Sequence, residues 1–198
     1  MTVAGAASTG AEPPSDRYPP RMDVAIAVGQ GVGLAVACGL VALLPIAIGS
    51  LGALAGILPG ALNVYDETAM VVGSLVAGGA NAVAEPKIAG TTRIALAAIA
   101  GAAVCELAAG DEISYASLAV GAVVGAGAGW IATRIVDPAN ANGPAAGVTL
   151  FVVLAGIGAA AIALIPFAGY VLLLVAAWFG RRARKVQDRK YAGLRVLR

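Results

Sequence analysis

Residues 24–65, VAIAVGQGVGLAVACGLVALLPIAIGSLGALAGILPGALNVY, carry no charge at all. A helix needs about 20 apolar residues to cross a hydrocarbon core of about 30 Å. The window therefore holds either one crossing followed by an outer segment, or two crossings. Everything after it changes sides with that choice.

The basic residues arbitrate. All 13 Lys and Arg fall into four clusters: Arg17 and Arg21; Lys87 and Arg93; Arg134; and a tail of Arg181, Arg182, Arg184, Lys185, Arg189, Lys190, Arg195 and Arg198. Cytoplasmic loops attract Lys and Arg. One crossing within 24–65 puts every cluster on the same side, whereas two would part Arg17 and Arg21 from the rest. Residues 24–48 are accordingly read as one span with Pro45 near its outer end. Gly49 to Ala61, closed by Pro59, is read as a short helix or re-entrant segment on the outer face.

Composition points the same way. Apolar residues make up 60% of the 198-residue chain before its 27 glycines are counted, and charged residues only 12%; a soluble domain carries about 25%. Further uncharged windows lie at 68–84, 113–133 and 138–180. The expected fold is an all-α integral membrane six-helix bundle with Gly/Ala-rich close packing and both termini cytoplasmic. Its spans are 24–48, 68–84, 91–109, 113–135, 145–165 and 167–183, within a domain of residues 22–185. Pro166 divides the last window, which as a single helix would place the basic tail outside. Pro138, Asn140 and Asn142 mark a cytoplasmic loop over 137–143. Tyr170 and Trp178 stand near the ends of the last span as interfacial aromatics.

The proline-rich residues 1–21 read as a disordered cytoplasmic lead, not a signal peptide. The basic tail, 186–198, reads as a topology anchor on anionic lipid; it lacks the aromatic interleaving of a nucleic-acid surface. The expected partners are thus the lipid bilayer, anionic lipid at the tail, and a possible second copy of the chain, with no nucleic acid.

Helices in lipid associate through small residues that let backbones approach. Ser117, Gly121, Gly125, Gly129 and Thr133 form such a stripe; Gly31, Ala35 and Gly39, and Gly73 with Ala77, offer others. Intramolecular packing or a homo-oligomeric or pore-lining face would each use them. Residues 72–84, VGSLVAGGANAVA, also align without gaps on 120–132, VGAVVGAGAGWIA. Pro45 and Pro166 sit in similar contexts, LVALLPIA and AIALIPFA, and make candidate hinges; paired proline-interrupted segments point toward transporter-like repeats.

Polar residues at membrane depth are the candidate working positions: Gln30, Asn81, Glu85, Lys87, Arg93 and Glu106. Glu106 is either an acid reaching the outer interface or an ion or proton site entered from outside. Glu85, Lys87 and Arg93 make either a solvated turn or a charge gate at the inner mouth. With no histidine, no ligand-spaced Cys/Asp cluster and no nucleophile elbow, neither enzyme chemistry nor a metal or cofactor is expected. Cys38 and Cys105 read as small packing residues.

The opening span GVGLAVACGLVALLPIAIGSLGAL, the Glu85 and Lys87 ending, the Thr92-Arg93 start and the RRARK after the proline-split pair resemble the small bacterial membrane proteins grouped as domain of unknown function 4126. The likeness covers about residues 23–185. It implies a compact six-helix protein of the inner membrane and no established biochemistry. The chain departs from that family between Lys87 and Thr92, where the additional acidic and aromatic residues are missing. The functional expectation is a small-solute or ion transporter or channel; the alternative is a non-transporting scaffold or assembly factor acting through glycine-rich faces.

Overall fold

The uncharged window that opens the chain folds as two helices, not one. The computed structural model describes residues 20–55, 57, 68–84, 90–109, 114–142 and 145–192, and in it α1 spans Pro20–Cys38 and α2 spans Leu44–Leu54. Pro45 causes the break: it has no N–H to donate to Val41, four residues back, and its ring would press on that carbonyl. The chain leaves the α ladder ahead of it, with Gly39 N–H donating to the Val36 carbonyl (3.1 Å) and Leu40 N–H to Ala37 (3.0 Å). α2 then begins with Pro45 in its first turn, where a missing N–H costs least.

The remaining helices are α3 (Thr68–Ala84), α4 (Gly90–Ala109), α5 (Ser114–Asn142), α6 (Ala145–Ala163) and α7 (Ala168–Ala192). All regular structure among the described residues is helical. Two stretches, Gly90–Ala108 and Tyr115–Ala139, are long and apolar enough to cross a membrane, and α1, α2, α3 and α6 contain shorter apolar stretches.

Successive helices alternate in direction. Gly31 of α1 lies against Cys105 and Ala108 of α4, while Ala35 lies near Gly101, so these two run antiparallel. Gly33 meets Ala163 and Val41 meets Gly156, which sets α6 antiparallel to α1 as well. Gly39 meets Ala128 and Gly129, and Gly101 meets Gly121, so α5 runs with α1. α7 starts beside Gly29 and Gly33 and brings Gly180 against Ile131 of α5, again parallel to α1. α2 turns back: its start lies at Gly78 of α3, its Gly52 at Leu164 beyond the end of α6.

Against an expected six spans and a short outer-face helix or re-entrant segment over 49–61, the described residues form seven helices, with α2 over 44–54 packed inside, and the start of α1 lies at the opposite end of the bundle from the end of α7. The start of α1 and the end of α7 lie apart because the chain reverses between α1 and α2, over Gly39–Leu43. One end, the basic face, carries Arg93, Arg134 and Arg181 to Lys185; the other carries the α6–α7 turn and the last turn of α4. The loop expected over 137–143 is also corrected in part, because α5 continues through Pro138 to Asn142. A proline removes one N–H from the ladder, and in the final turns that loss is small enough to leave the helix intact.

α6 and α7 are joined by a tight turn. Ala168 N–H donates to the Ile165 carbonyl (3.1 Å) across Pro166 and Phe167, and Phe167 has φ 64°. Proline followed by a positive φ is the signature of a type II turn, which normally takes glycine at the second position.

Large apolar side chains cover the outside: Val76, Val83, Ile99, Val123, Leu150, Phe151, Val171 and Leu174 are all exposed. The buried set includes Gln30, Ser50, Ser74, Asn81, Arg93, Ser117 and Thr133 among alanines, glycines and a few larger residues. Apolar exposure on this scale marks a surface for contact with a membrane or with other protein. Packing inside relies on close backbone approach: a Cβ at Gly121 would enter the Gly101 carbonyl, and one at Gly125 the Ala97 carbonyl.

Candidate functional site

α2 is 11 residues long, about 16 Å of helix, roughly half of a hydrocarbon core. It is held in the interior by α1, α3, α4 and α6, with Pro45, Ala47, Gly49, Ser50, Gly52 and Ala53 buried. Small residues at 49, 52 and 53 let it approach its neighbours. They also leave Ser50 as the polar group on its buried side.

Across from it α3 buries one narrow stripe, Val71, Ser74, Gly78 and Asn81, spaced three or four apart on a single helix face. Ser50 Oγ donates to the Ile46 carbonyl (2.8 Å), and Ser74 Oγ to the Val71 carbonyl (3.0 Å). The two hydroxyl oxygens face each other at 3.4 Å. A hydroxyl has one hydrogen, so while both are spent on their own helices the seam presents two acceptor oxygens to each other. Either serine can donate to the other only by giving up the bond to its own helix.

Gln30 stands past the C-terminal end of α2 and is fully buried, at 0% exposure. Its Nε2 donates to the Leu164 carbonyl at 2.6 Å and, more weakly, to the Ile57 carbonyl at 3.4 Å. In a continued helix the Leu164 carbonyl would accept from Ala168 N–H, which in the α6–α7 turn goes to Ile165 instead, so that carbonyl needs an outside donor, and Gln30 supplies one. Its Oε1 has no hydrogen-bond partner among the described residues. A buried amide oxygen without a partner costs about 1–3 kcal/mol. Together with Ser50 and Ser74, it makes this interior rich in acceptors.

The other sequence candidates lie apart from the seam. Arg93 is on the first turn of α4, 4% exposed, with Nη1 3.2 Å from Asp137 Oδ1 on α5. Glu106, in the last turns of α4, accepts a hydrogen bond from Ser117 of α5 at the far end of the same helix pair. Asn81 is buried on the α3 stripe, and Glu85 and Lys87 lie outside the described residues. Gly121, Gly125 and Gly129 line the α4–α5 contact, where Gly129 meets Ala97 and Ile94. Pro45 opens α2 and Pro166 sits exposed in the α6–α7 turn. The candidates therefore form a charged pair at one end, an acid–hydroxyl pair at the other, and a polar seam between.

Sequence reading missed Ser50, Ser74 and Asp137. The serines are single hydroxyls in apolar windows, and nothing local says that they meet; Asp137 was absorbed into an expected loop. Tyr170 stands in the first turn of α7, near the end of that helix as expected. Its ring packs on Gly29 and its hydroxyl donates to the Ala25 carbonyl (2.8 Å), which ties α7 to α1. Comparison with family models, with curated proteins and with solved structures finds no match to this chain.

Proposed function

We propose that the chain is an integral membrane protein that passes a cation, or a small solute bearing hydrogen-bond donors, along the α2–α3 seam. The observation that carries this reading is the short, buried α2 with Ser50 and Ser74 set oxygen to oxygen. Broken helices at membrane depth are tolerated where protein surrounds them or where they line a path. In transporters such segments commonly coordinate the cargo. A bacterial inner membrane is the location that goes with this reading.

Orientation follows from charge. If the basic face is cytoplasmic, Arg93, Arg134, Arg181, Arg182, Arg184 and Lys185 lie on that side, and Arg21, in the first turn of α1, lies at the other end of the bundle. This gives an outer N-terminus and a cytoplasmic C-terminus. The decisive topology measurement is Ser8→Cys in a Cys38→Ser, Cys105→Ser background, labelled in intact cells with an impermeant maleimide. Labelling supports the reversal; protection, with labelling at position 111, restores the six-span arrangement.

Function is tested in proteoliposomes loaded with proton- or cation-sensitive dye, with counterflow of small polar solutes as a second arm. Ser50→Val and Gln30→Leu should each lower flux several-fold, while Glu106→Gln, off the seam, should leave it unchanged. Traces matching empty liposomes across the whole panel would sink the proposal.

One observation favours the scaffold reading. α3 makes its main contact with α2 alone, and Gly73 and Gly79 on its outer side have nothing near them. A scaffold using that face should purify as a defined oligomer or complex, and Gly73→Leu should dissociate it.

A further inference from the structure

At the basic face α5 and α7 meet where Gly180 packs on Ile131, and two tryptophans flank the contact. Arg134, one turn beyond Trp130 on α5, places its guanidinium carbon 5.3 Å from the Trp130 ring centroid. Arg184, from α7, lies 5.6 Å from the same centroid. Arg182 lies 5.6 Å from the centroid of Trp178, whose ring meets Phe179 edge-on at 5.0 Å. Arg134, Arg181, Arg182, Arg184 and Lys185 are all exposed.

Guanidinium groups drawn to an indole face gain a modest quadrupole attraction, yet two of them on one ring repel each other. Among the described side chains, the acid closest in sequence to Arg134, Asp137, is already engaged by Arg93. Residues 181–198 contain eight basic residues and a single acid, Asp188. The cluster therefore calls for an external anion. The chemistry of that anion is constrained from below, where Trp178, Leu174 and Val171 continue the α7 surface as exposed apolar side chains. A ligand that fits has an anionic head for the arginines and hydrocarbon for the strip beneath.

The geometry points to a binding site for an anionic glycerophospholipid between α5 and α7, its phosphodiester held by Arg134 and Arg184 beside Trp130. Arginine forks suit phosphate oxygens, and tryptophan sits well at headgroup depth. The site differs from a diffuse attraction of the tail because it needs Arg134, which lies on another helix. A zwitterionic lipid fits worse, since its ammonium adds to the positive cluster. The inference rests on the membrane placement above, not on transport.

Trp130 is its own reporter once Trp178→Phe removes the other indole. In vesicles of zwitterionic lipid containing a minor fraction of brominated phosphatidylglycerol, Trp130 should be quenched well beyond the level given by the same fraction of brominated phosphatidylcholine. Arg134→Gln with Arg184→Gln should weaken the apparent phosphatidylglycerol association about tenfold, bringing quenching down to the zwitterionic level. Arg134→Lys with Arg184→Lys should recover part of it. Equal quenching by the two lipids in the parent protein overturns the site. So does an unchanged response in the Gln double variant, or displacement of the lipid by millimolar inorganic phosphate. Quenching by neither lipid would remove the membrane placement itself, a separate failure from loss of selectivity.

Discussion

α3 and α5 contain 13-residue strings that align without gaps and are identical at 6 of 13 positions, yet the fold uses them in opposite ways. In α5, Gly121 and Gly125 press against the backbone of α4 so closely that no Cβ fits. Their counterparts in α3, Gly73 and Ala77, are exposed, and Gly73 has open space around it. Gly79 and Gly127, also counterparts, are both open. What α3 buries instead is the stripe through Val71, Ser74, Gly78 and Asn81. A small-residue pattern therefore marks a surface capable of close approach, and neighbours decide whether the approach happens.

The contrast is broken hardest at Gly125. Gly125→Leu should cost about 3 kcal/mol, the upper end for overpacking, because the side chain must displace the Ala97 carbonyl. The check is unfolding in mixed micelles. Full stability would mean that α4 and α5 can part freely. The same geometry bars Gly125 from serving as a probe of oligomer contacts, since its variant fails inside one chain first.

A matched pair sharpens the comparison. Gly121→Ala should destabilise by about 1–3 kcal/mol through contact with the Gly101 carbonyl. Gly73→Ala should instead stabilise by roughly 0.5–1 kcal/mol, by restricting the unfolded chain in a helix with room for the methyl. Measured side by side, shifts of the same sign would contradict the packing described for α3.

The smallest effects should be equal. Gly79→Ala and Gly127→Ala each meet nothing within reach, as at Gly73, so both should gain the same roughly 0.5–1 kcal/mol in thermal unfolding. A loss at Gly79 alone would reveal a neighbour on α3, as the scaffold reading requires.

Outside this pair, the α6–α7 turn gives an independent handle. Phe167→Gly relieves a positive φ that costs an L-residue about 1 kcal/mol, so it should stabilise unless the exposed ring has lipid contacts to lose.

Much of the helical character was legible in the sequence. Uncharged windows contain α2, α3 and α6 and most of α1 and α5, whereas α4 carries Arg93 and Glu106 and α7 runs on into the basic tail; Pro166 stands in the α6–α7 turn. The site was legible only in pieces. Gln30 and Arg93 stood out as polar residues in or beside apolar runs, but Ser50 and Ser74 are 24 residues apart and Arg93 and Asp137 are 44 apart. No window spans those separations.

Composition and charge clustering by themselves determined a helical chain with apolar surfaces and a basic end, because both follow from the solvation cost of each residue taken alone. The direction in which the chain leaves Cys38 was decided only by tertiary structure. Pro45 demands a break, but a kink or a reversal would equally satisfy it. The reversal is held because Gly39 seats on Ala128 and Gly129 of α5, Val41 on Gly156 of α6, and Leu44 beside Gly78 of α3. Those contacts come from three other helices, so the end of the bundle at which α1 starts, relative to α7, is a property of packing and not of any local stretch.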